Sequence, residues 1–336
     1  MRIATFNIEN LDDTPVAADD DRDATFDERA AILRPQLERL RADVLCLQEV
    51  HGQDVDGEPR QLRALSRLLQ GTSYERYEWR STTLANGVDV ERYRNLVTLI
   101  RPGYSFESAD EILHDHVPPP QYNFVTDDEP DRVRDIKWER PLFYCIIVTP
   151  EGQRLHVLNA HYKSKLPTNI PGQRINTYKW RSSAGWAEGF FVSSMKRVGA
   201  ALETRILVDQ IIDSEPDAAV VVCGDLNAEA AEVPMMALRG EVADTQNPDL
   251  QKYTLYPLED SVPADKRFTL YHHGKKNMLD HLMVSQHMMC CFRGVEIHNE
   301  IVRDESTAFA FDKKFPSSDH APVVAEFDMH AHAAGV

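Results

Sequence analysis

Asn7, Glu49, His161, Asp225, Asn227, Asp280, Asp319 and His320 each interrupt or end an apolar, strand-like run of the chain. Burying such groups costs free energy unless each is paired or binds a metal. A lone Asp or His after a strand is most often a cap or a turn residue. A whole set at strand ends is different, because one open sheet edge can gather them into a single cleft. Divalent magnesium takes hard oxygen ligands and keeps several waters, so one or two carboxylates can hold it against a substrate phosphate. Glu49 and Asp319 suit that task. Asp225 and Asn227, two apart across Leu226, point to the same side if strand geometry continues, bringing a carboxylate and an amide to one small volume. The amide can donate to a phosphate oxygen, while the carboxylate can orient water or protonate a leaving group. His320 follows Asp319 directly, and Asp280 could hold its ring in the tautomer that accepts a proton from water.

The elements that must position these groups are legible in the periodicity. Ile3 to Ile8 reads as a strand, followed by an acidic loop through Asp19 to Asp23 and a helix from about Asp27 to Leu40. Thr25 and Glu28 have capping-box spacing, and Ile32, Leu33, Leu37 and Leu40 recur at helical intervals. Val44 to Gln48 is a strand that delivers Glu49 at its end. Asn95 to Ile100 and Pro141 to Val148 are further strands, separated by a Pro-rich, acidic stretch, Ser105 to Glu139, that reads as a long surface excursion. Leu155 to Asn159 pairs with Leu142 to Val148 across the Glu151-Gly152 turn and carries His161 just past its end. A helix from about Val192 to Ile212 precedes the buried strand Ala219 to Cys223 and Gly224-Asp225-Leu226-Asn227. Leu279 to Ser285 and Ala321 to Phe327 are the last strands. The tail 330–336 reads as frayed, so His330 and His332 are not expected to be ligands. With apolar runs from Arg2 to Phe327 and no low-complexity linker, one elaborated domain over 1–329 is expected, with its insertion near 105–139.

Of the 336 residues, 42% are hydrophobic and 27% charged, enough to bury a large core. Lys and Arg total 37 against 54 Asp and Glu, a formal net charge of -17, which excludes a general nucleic-acid coat protein. An enzyme tolerates this balance when cations or metal ions gather where the phosphate lands. Met1 leads directly into a strand-like run with no signal peptide visible, and no apolar run is long enough to span a membrane, so a cytoplasmic location is expected. Cys46, Cys145 and Cys223 sit in apolar runs, where a thiol packs as a small hydrophobe; the adjacent Cys290 and Cys291 lack a CxxC partner.

Thr5-Phe6-Asn7-Ile8, Leu47-Gln48-Glu49, Asn159-Ala160-His161-Tyr162-Lys163-Ser164, Gly224-Asp225-Leu226-Asn227-Ala228, Leu279-Asp280-His281 and Ser318-Asp319-His320 together resemble the endonuclease/exonuclease/phosphatase superfamily across the whole chain. Each tripeptide is weak alone; their order makes the combination specific. The resemblance implies a DNase I-like α/β (α+β) fold, a four-layer α/β/β/α sandwich of two mixed β-sheets packed face to face and flanked by helices. It implies Glu49 as the principal ligand of Mg2+, with Mn2+ or Ca2+ as alternatives, and Asn7 and Asp319 nearby or behind it. It further implies His320 as general base oriented by Asp280, Asp225 positioning the nucleophile or acting as acid at the leaving oxygen, Asn227 holding the phosphate and His161 stabilising its charge. Some nuclease relatives place a polar partner for this histidine near Arg94-Asn95, where this chain has no acid.

From Lys163 to Arg205 the chain carries Lys163, Lys165, Arg174, Lys179, Arg181, Lys196, Arg197 and Arg205 but only Glu188 and Glu203 as acids, interleaved with Tyr178, Trp180, Trp186, Phe190 and Phe191. Residue by residue, these read as core aromatics and a solvated helix face. As a whole the island could form one wall of a phosphate-binding groove, with Lys163 and Arg174 as substrate contacts. The leading expectation is hydrolysis of phosphodiesters in DNA or RNA by in-line water attack. The alternatives are a phosphatase or phosphodiesterase acting on a small or lipid phosphate, of inositol phosphate or sphingomyelin type, and an inactive binding scaffold. A scaffold has no need of Asp225, Asn227 and His320 together.

Overall fold

A computed structural model describes residues 1–14, 24–127, 132–176, 179–310 and 315–329, and of 308–310 the backbone alone. In chain order the strands of its two large sheets are β1 (Arg2–Leu11), β2 (Val44–Val50), β3 (Glu78–Ser81), β4 (Asn95–Ile100), β5 (Ser105–Ile112), β6 (Leu142–Val148), β7 (Arg154–His161), β8 (Ala219–Asp225), β9 (Tyr256–Pro257), β10 (Asp280–Val284), β11 (Phe292–Ile297) and β12 (Val323–Phe327). The main helices are α1 (Phe26–Leu40), α2 (Arg63–Leu69), α3 (Ser183–Ser214) and α4 (Val233–Arg239).

One six-stranded sheet has the order β11-β12-β1-β2-β4-β3 and the other β9-β10-β8-β7-β6-β5. Each mixes one parallel pair, β1 with β2 and β7 with β8, with antiparallel neighbours. Period-2 alternation divides the central strands between two cores. Ile3, Val44, Cys46, Val157, Val221, Cys223, Leu282 and Val323 face inward and form the core between the sheets. The alternate residues Ala4, Phe6, Leu45 and Leu47 meet Leu33, Leu37 and Leu40 of α1 and Leu65 and Leu68 of α2. On the far side Leu158, Val220 and Val222 pack under Leu207, Val208 and Ile211 of α3. The result is the expected four layers, helix, sheet, sheet, helix. Cys46, Cys145 and Cys223 are buried free thiols, as their apolar settings predict.

Register then does the positioning. Parallel pairing sets His161 beside Asp225, and antiparallel pairing sets Asp225 beside Asp280, so three chemistry-bearing residues stand in one row across β7, β8 and β10. In the other sheet Asn7 stands beside Gln48, one residue before Glu49. Both rows lie at the same end of the sandwich. Polar residues floor the cleft: Gln48 Nε2 donates to Asn159 Oδ1 at 2.7 Å, and Asn159 Nδ2 donates to the Val97 carbonyl at 3.1 Å, tying the sheets together beneath it.

The helix α1 has the expected cap: Glu28 N donates to the Thr25 hydroxyl and Thr25 N to the Glu28 carboxylate. The stretch from Ser105 is not wholly a surface excursion. Its first part is β5, the edge strand against β6, whose outer face is polar and therefore reads like loop sequence. The helix expected from Val192 begins nine residues earlier, at Ser183, where the Ser182 hydroxyl accepts from Gly185 N at 2.9 Å. Gly185 and Gly189 mask its helical character in sequence, yet both are needed because Pro167, Thr168 and Gln173 of the preceding loop lie on that face. A Cβ at Gly185 would stand 2.5 Å from Gln173 Oε1, and one at Gly189 would stand 2.5 Å from the Thr168 carbonyl oxygen. The acidic loop Asp19 to Asp23, Asp128-Glu129, Tyr178 and the tail 330–336 with its two histidines lie outside the described residues.

Candidate active site

His161, Asp225 and Asp280 can stand in a row only because β7 and β8 approach closely just before their ends. Gly224 makes this possible: its φ is +137°, and a Cβ there would lie 1.9 Å from the Ala160 carbonyl oxygen. The strand then breaks. Asn227 adopts φ 50°, its backbone N donates to Asp225 Oδ1 at 3.0 Å, and its Nδ2 donates to Asp225 Oδ2 at 3.0 Å and to the Tyr162 carbonyl at 3.2 Å. Asp225 and Asn227 therefore meet through a side-chain-capped turn rather than through continued strand alternation. Asp280 Oδ2 accepts from His320 Nδ1 at 2.6 Å. His320 Nε2 points back toward Asp225 Oδ2, 3.9 Å away.

The other sheet closes the cleft. Asn7 Nδ2 donates to Asp225 Oδ2 at 3.1 Å, while its Oδ1 accepts from Glu9 N at 3.0 Å. In β2 the alternation that sends Gln48 inward would send Glu49 outward, but Glu49 has φ 62° and breaks it. Its carboxylate turns into the cleft, where Oε2 accepts from Asn10 N at 3.2 Å and Oε1 lies 3.5 Å from His161 Nε2. The Ser318 hydroxyl donates to the Asn7 carbonyl at 2.7 Å and accepts from His320 N at 3.1 Å, fixing how the chain enters β12. All eight residues singled out at strand ends converge here.

The endonuclease/exonuclease/phosphatase family model matches residues 4–320. The chain belongs to this family. It is accordingly a hydrolase of phosphoric esters. Among solved structures, a family member from Bacteroides thetaiotaomicron aligns with a TM-score of 0.58 at 14% identity, over 98% of this chain and 96% of that one. A mannosyl-6-phosphatase from the same species has a TM-score of 0.58 at 14% identity, over 98% and 100%. A 3′ phosphatase from Neisseria, bound to a product DNA hairpin, has a TM-score of 0.53 at 17% identity, over 98% and 99%. At such identities the likeness establishes the DNase I-like fold. Comparison with curated proteins finds no match.

Family members generally depend on divalent metal, and the donor set here fits a hard cation. Asp319 Oδ1 and Asp280 Oδ1 are buried with no hydrogen-bond partner among the described residues. Burial first, and then repulsion from Glu305, Glu49 and Asp280, pushes Asp319 up to about 6 against the lowering effect of His320. Burial with the charges of Asp280 and Glu49 takes Asp225 to about 7, and burial with the charge of Asp319 takes the neighbouring Glu9 to about 8. These are carboxylates with too little positive charge around them. Asp225, Asp280 and His320 also bring ligand atoms within 4.8 Å of one another, but the bond between Asp280 and His320 already occupies that pair.

The two histidines are tuned in opposite directions. Burial disfavours charge on both. At His320 the carboxylates of Asp280, Asp319 and Asp225 outweigh it and raise the pKa well above the ordinary value. At His161 burial acts together with Arg140, Arg94, His320 and Lys163, leaving a neutral ring. His161 Nδ1 has no hydrogen-bond partner among the described residues, so the partner that the sequence failed to offer is missing in the fold too. Its Nε2 lies 3.4 Å from Asp225 Oδ2.

Lys163 lies at the cleft, its Nζ donating to the Ser164 hydroxyl at 2.8 Å, and burial lowers its pKa to about 8. Arg174 donates to the Pro167 carbonyl at 3.0 Å and stacks on Trp180 at 4.5 Å, bracing the described residues of the loop that follows the cleft. Much of the basic island is likewise spent internally. Lys165 pairs with Glu232, Lys196 with Glu139, and Arg197 donates to the Lys163 and Ser164 carbonyls. Two neighbours of the site escaped the sequence reading. Glu9, whose Oε2 accepts from Asp319 N at 3.1 Å, was signalled only by its two-residue spacing from Asn7. Arg140, which donates to the carbonyls of His161 and Tyr162 at 2.9 Å each, gave no signal at all.

His281 buttresses the turn that holds Asn227. Its Nε2 donates to the Ala228 carbonyl at 2.8 Å and its Nδ1 donates to Glu259 Oε1 at 2.5 Å, so both nitrogens carry protons and the ring is an imidazolium. Burial opposes that charge, but Glu259 outweighs it and raises the pKa. A raised folded pKa stabilises fully below the unfolded value of about 6.5, and the gain is lost as pH rises through the folded pKa. The thermal midpoint of wild type should therefore exceed that of His281→Gln most at acidic pH, by a margin that shrinks above about pH 6.5. A margin constant from pH 6 to 9 would contradict the charged pair.

Proposed function

We propose that the chain is a magnesium-dependent phosphodiesterase that cleaves nucleic acid by in-line attack of water. The observation that carries this reading is that one end of the sandwich gathers Asn7 on Asp225, Glu49 beside His161, and Asp319 and Asp280 on either side of the His320 ring. Glu49, with Asp319 and Asn7 beside it, would hold the ion, which when bound offsets the crowded carboxylates and draws charge from the phosphate oxygens. His320 is held through Nδ1 by Asp280, and its raised pKa comes from the uncompensated carboxylates around it; where an ion would offset those charges, Nε2 is the atom that takes the proton of the attacking water. Asp225, with its pKa near 7, can hold a proton at neutral pH and deliver it to the leaving oxygen. His161, neutral, offers its ring N–H to the phosphate, as does Asn227 on giving up its bond to the Tyr162 carbonyl. Lys163 supplies a cation at the rim.

A small phosphomonoester is the second reading, favoured by the formal charge of -17, which repels a long polyanion over most of the surface. Labelled oligonucleotides, an aryl phosphodiester and an aryl phosphomonoester, each assayed with magnesium, manganese or EDTA, separate the two. Magnesium-dependent cleavage of the oligonucleotides and the diester, abolished by EDTA, is the expected result; hydrolysis of the monoester alone would replace it with the second reading. Magnesium should also raise the thermal midpoint of wild type, since an ion at about 100 times its Kd adds about 2.7 kcal/mol. Glu49→Gln should lose that rise.

A further inference from the structure

We propose that the outer end of α3, with the described loop residues 165–176 and 179–181 laid against it, is a docking surface for single-stranded nucleic acid that makes hydrolysis depend on substrate length. The inference rests on the nuclease reading above. Four large apolar side chains are exposed there: Trp186 at 47%, Phe191 at 50%, Leu166 at 71% and Ile175 at 57%. Trp186 stands edge-on to Phe190 at 4.6 Å, and Phe191 lies against Tyr122 at 5.3 Å, so the rings are held in place rather than swinging freely. A cluster of exposed aromatics is a contact surface far more often than scattered single residues are.

Charge selects the occupant. Between Lys163 and Met195 the chain has five cations, Lys163, Lys165, Arg174, Lys179 and Arg181, and one acid, Glu188. Glu188 is buried and taken up by the Tyr122 hydroxyl and the Val125 and Thr126 amides, so it presents no charge to a ligand. Lys165 is balanced by Glu232 and Arg174 is stacked on Trp180, so the cations that this stretch leaves exposed are Lys179 and Arg181. On a protein of net charge -17, a pair of exposed cations beside exposed aromatic rings matches a polyanion bearing flat rings.

The surface is continuous with the cleft. The loop leaves the cleft at Lys163, where Arg197 of α3 holds the Lys163 and Ser164 carbonyls. It then runs along the helix toward its N-terminus: the Ser193 hydroxyl donates to the Leu166 carbonyl, Thr168 N donates to the Gly189 carbonyl, and the Ser182 hydroxyl donates to Gln173 Oε1. From Arg197 back to Trp186 the helix covers roughly 16 Å at about 1.5 Å per residue. A stacked strand needs on the order of five nucleotides to cross that distance at about 3.4 Å each.

The test compares kcat/KM of the full-length protein, with magnesium, on labelled single-stranded oligonucleotides of three and twelve nucleotides. Wild type should prefer the longer by about tenfold or more, the scale of a single lost base stack. Trp186→Ala with Phe191→Ala should bring the ratio close to one, and Lys179→Glu with Arg181→Glu should lower it and flatten its salt dependence, with unchanged thermal midpoints in both. Equal rates on the two lengths in wild type, or a wild-type ratio in the folded aromatic double variant, would overturn the inference while leaving the nuclease reading intact. Cleavage of no oligonucleotide removes both. Binding to phosphatidylserine vesicles by wild type but not the aromatic variant, with no length preference, would reassign the surface to a membrane and overturn it as well.

Discussion

Replacing His320 by alanine lowers kcat on a phosphodiester by about two to four orders of magnitude, the contribution expected of a positioned proton acceptor. The size of the effect follows from how little the cleft offers in its place. His161 is neutral and faces two carboxylates, and Asp225 is already engaged by three donors from Asn7 and Asn227. Asp280→Asn should approach the same loss without removing the ring, because an amide can donate to Nδ1 and so place the ring proton on Nε2, the atom that must be free to accept. Residues that act as a unit are not additive, so the double variant should be little worse than His320→Ala alone. Removing His320 also strands a buried carboxylate, at a cost of about 1–3 kcal/mol, so a thermal midpoint must accompany the kinetics. A folded His320→Ala protein retaining a tenth or more of wild-type kcat would exclude His320 as the base.

Gly224→Ala should destabilise the fold by roughly 3–5 kcal/mol, combining a left-half backbone that alanine rarely adopts with an overpacked contact against main chain. The neighbour is the Ala160 carbonyl oxygen at 1.9 Å, part of the adjacent strand, which cannot swing aside as a flexible side chain would. Against a typical stability of about 5–15 kcal/mol, that is a large fraction of the total. Relief requires β7 and β8 to separate where His161 and Asp225 pair, so any folded population should also be catalytically weak. Denaturant midpoints of wild type and variant measure the effect; a difference under about 1 kcal/mol would mean that the strands part at little cost and that their spacing does not set the site.

The residue types and their order were readable from the chain alone because each breaks an apolar period that the surrounding strand makes plain. Asn7, Asp225, Asp280 and His320 are in this class: alternation gives the strand, the strand end gives the location, and the chemistry of a buried polar group demands a partner. The capping box of α1 and the apolar settings of Cys46, Cys145 and Cys223 were legible for the same local reason.

What the tertiary structure alone decided are the departures from local period. Glu49 reaches the cleft through a positive φ that no alternation rule anticipates, and Asn227 meets Asp225 through a turn rather than a strand. The edge strand β5 has a solvent-facing side and so reads as loop, while the first turns of α3 carry glycines whose purpose is visible only when Thr168 and Gln173 are seen lying on them. Arg140 comes from a segment with no motif, and Glu9 was marked only by its nearness to Asn7. Sequence spacing determines which groups sit at strand ends; register, left-handed residues and close backbone approach determine which of them touch, since those depend on chains far apart in sequence coming together.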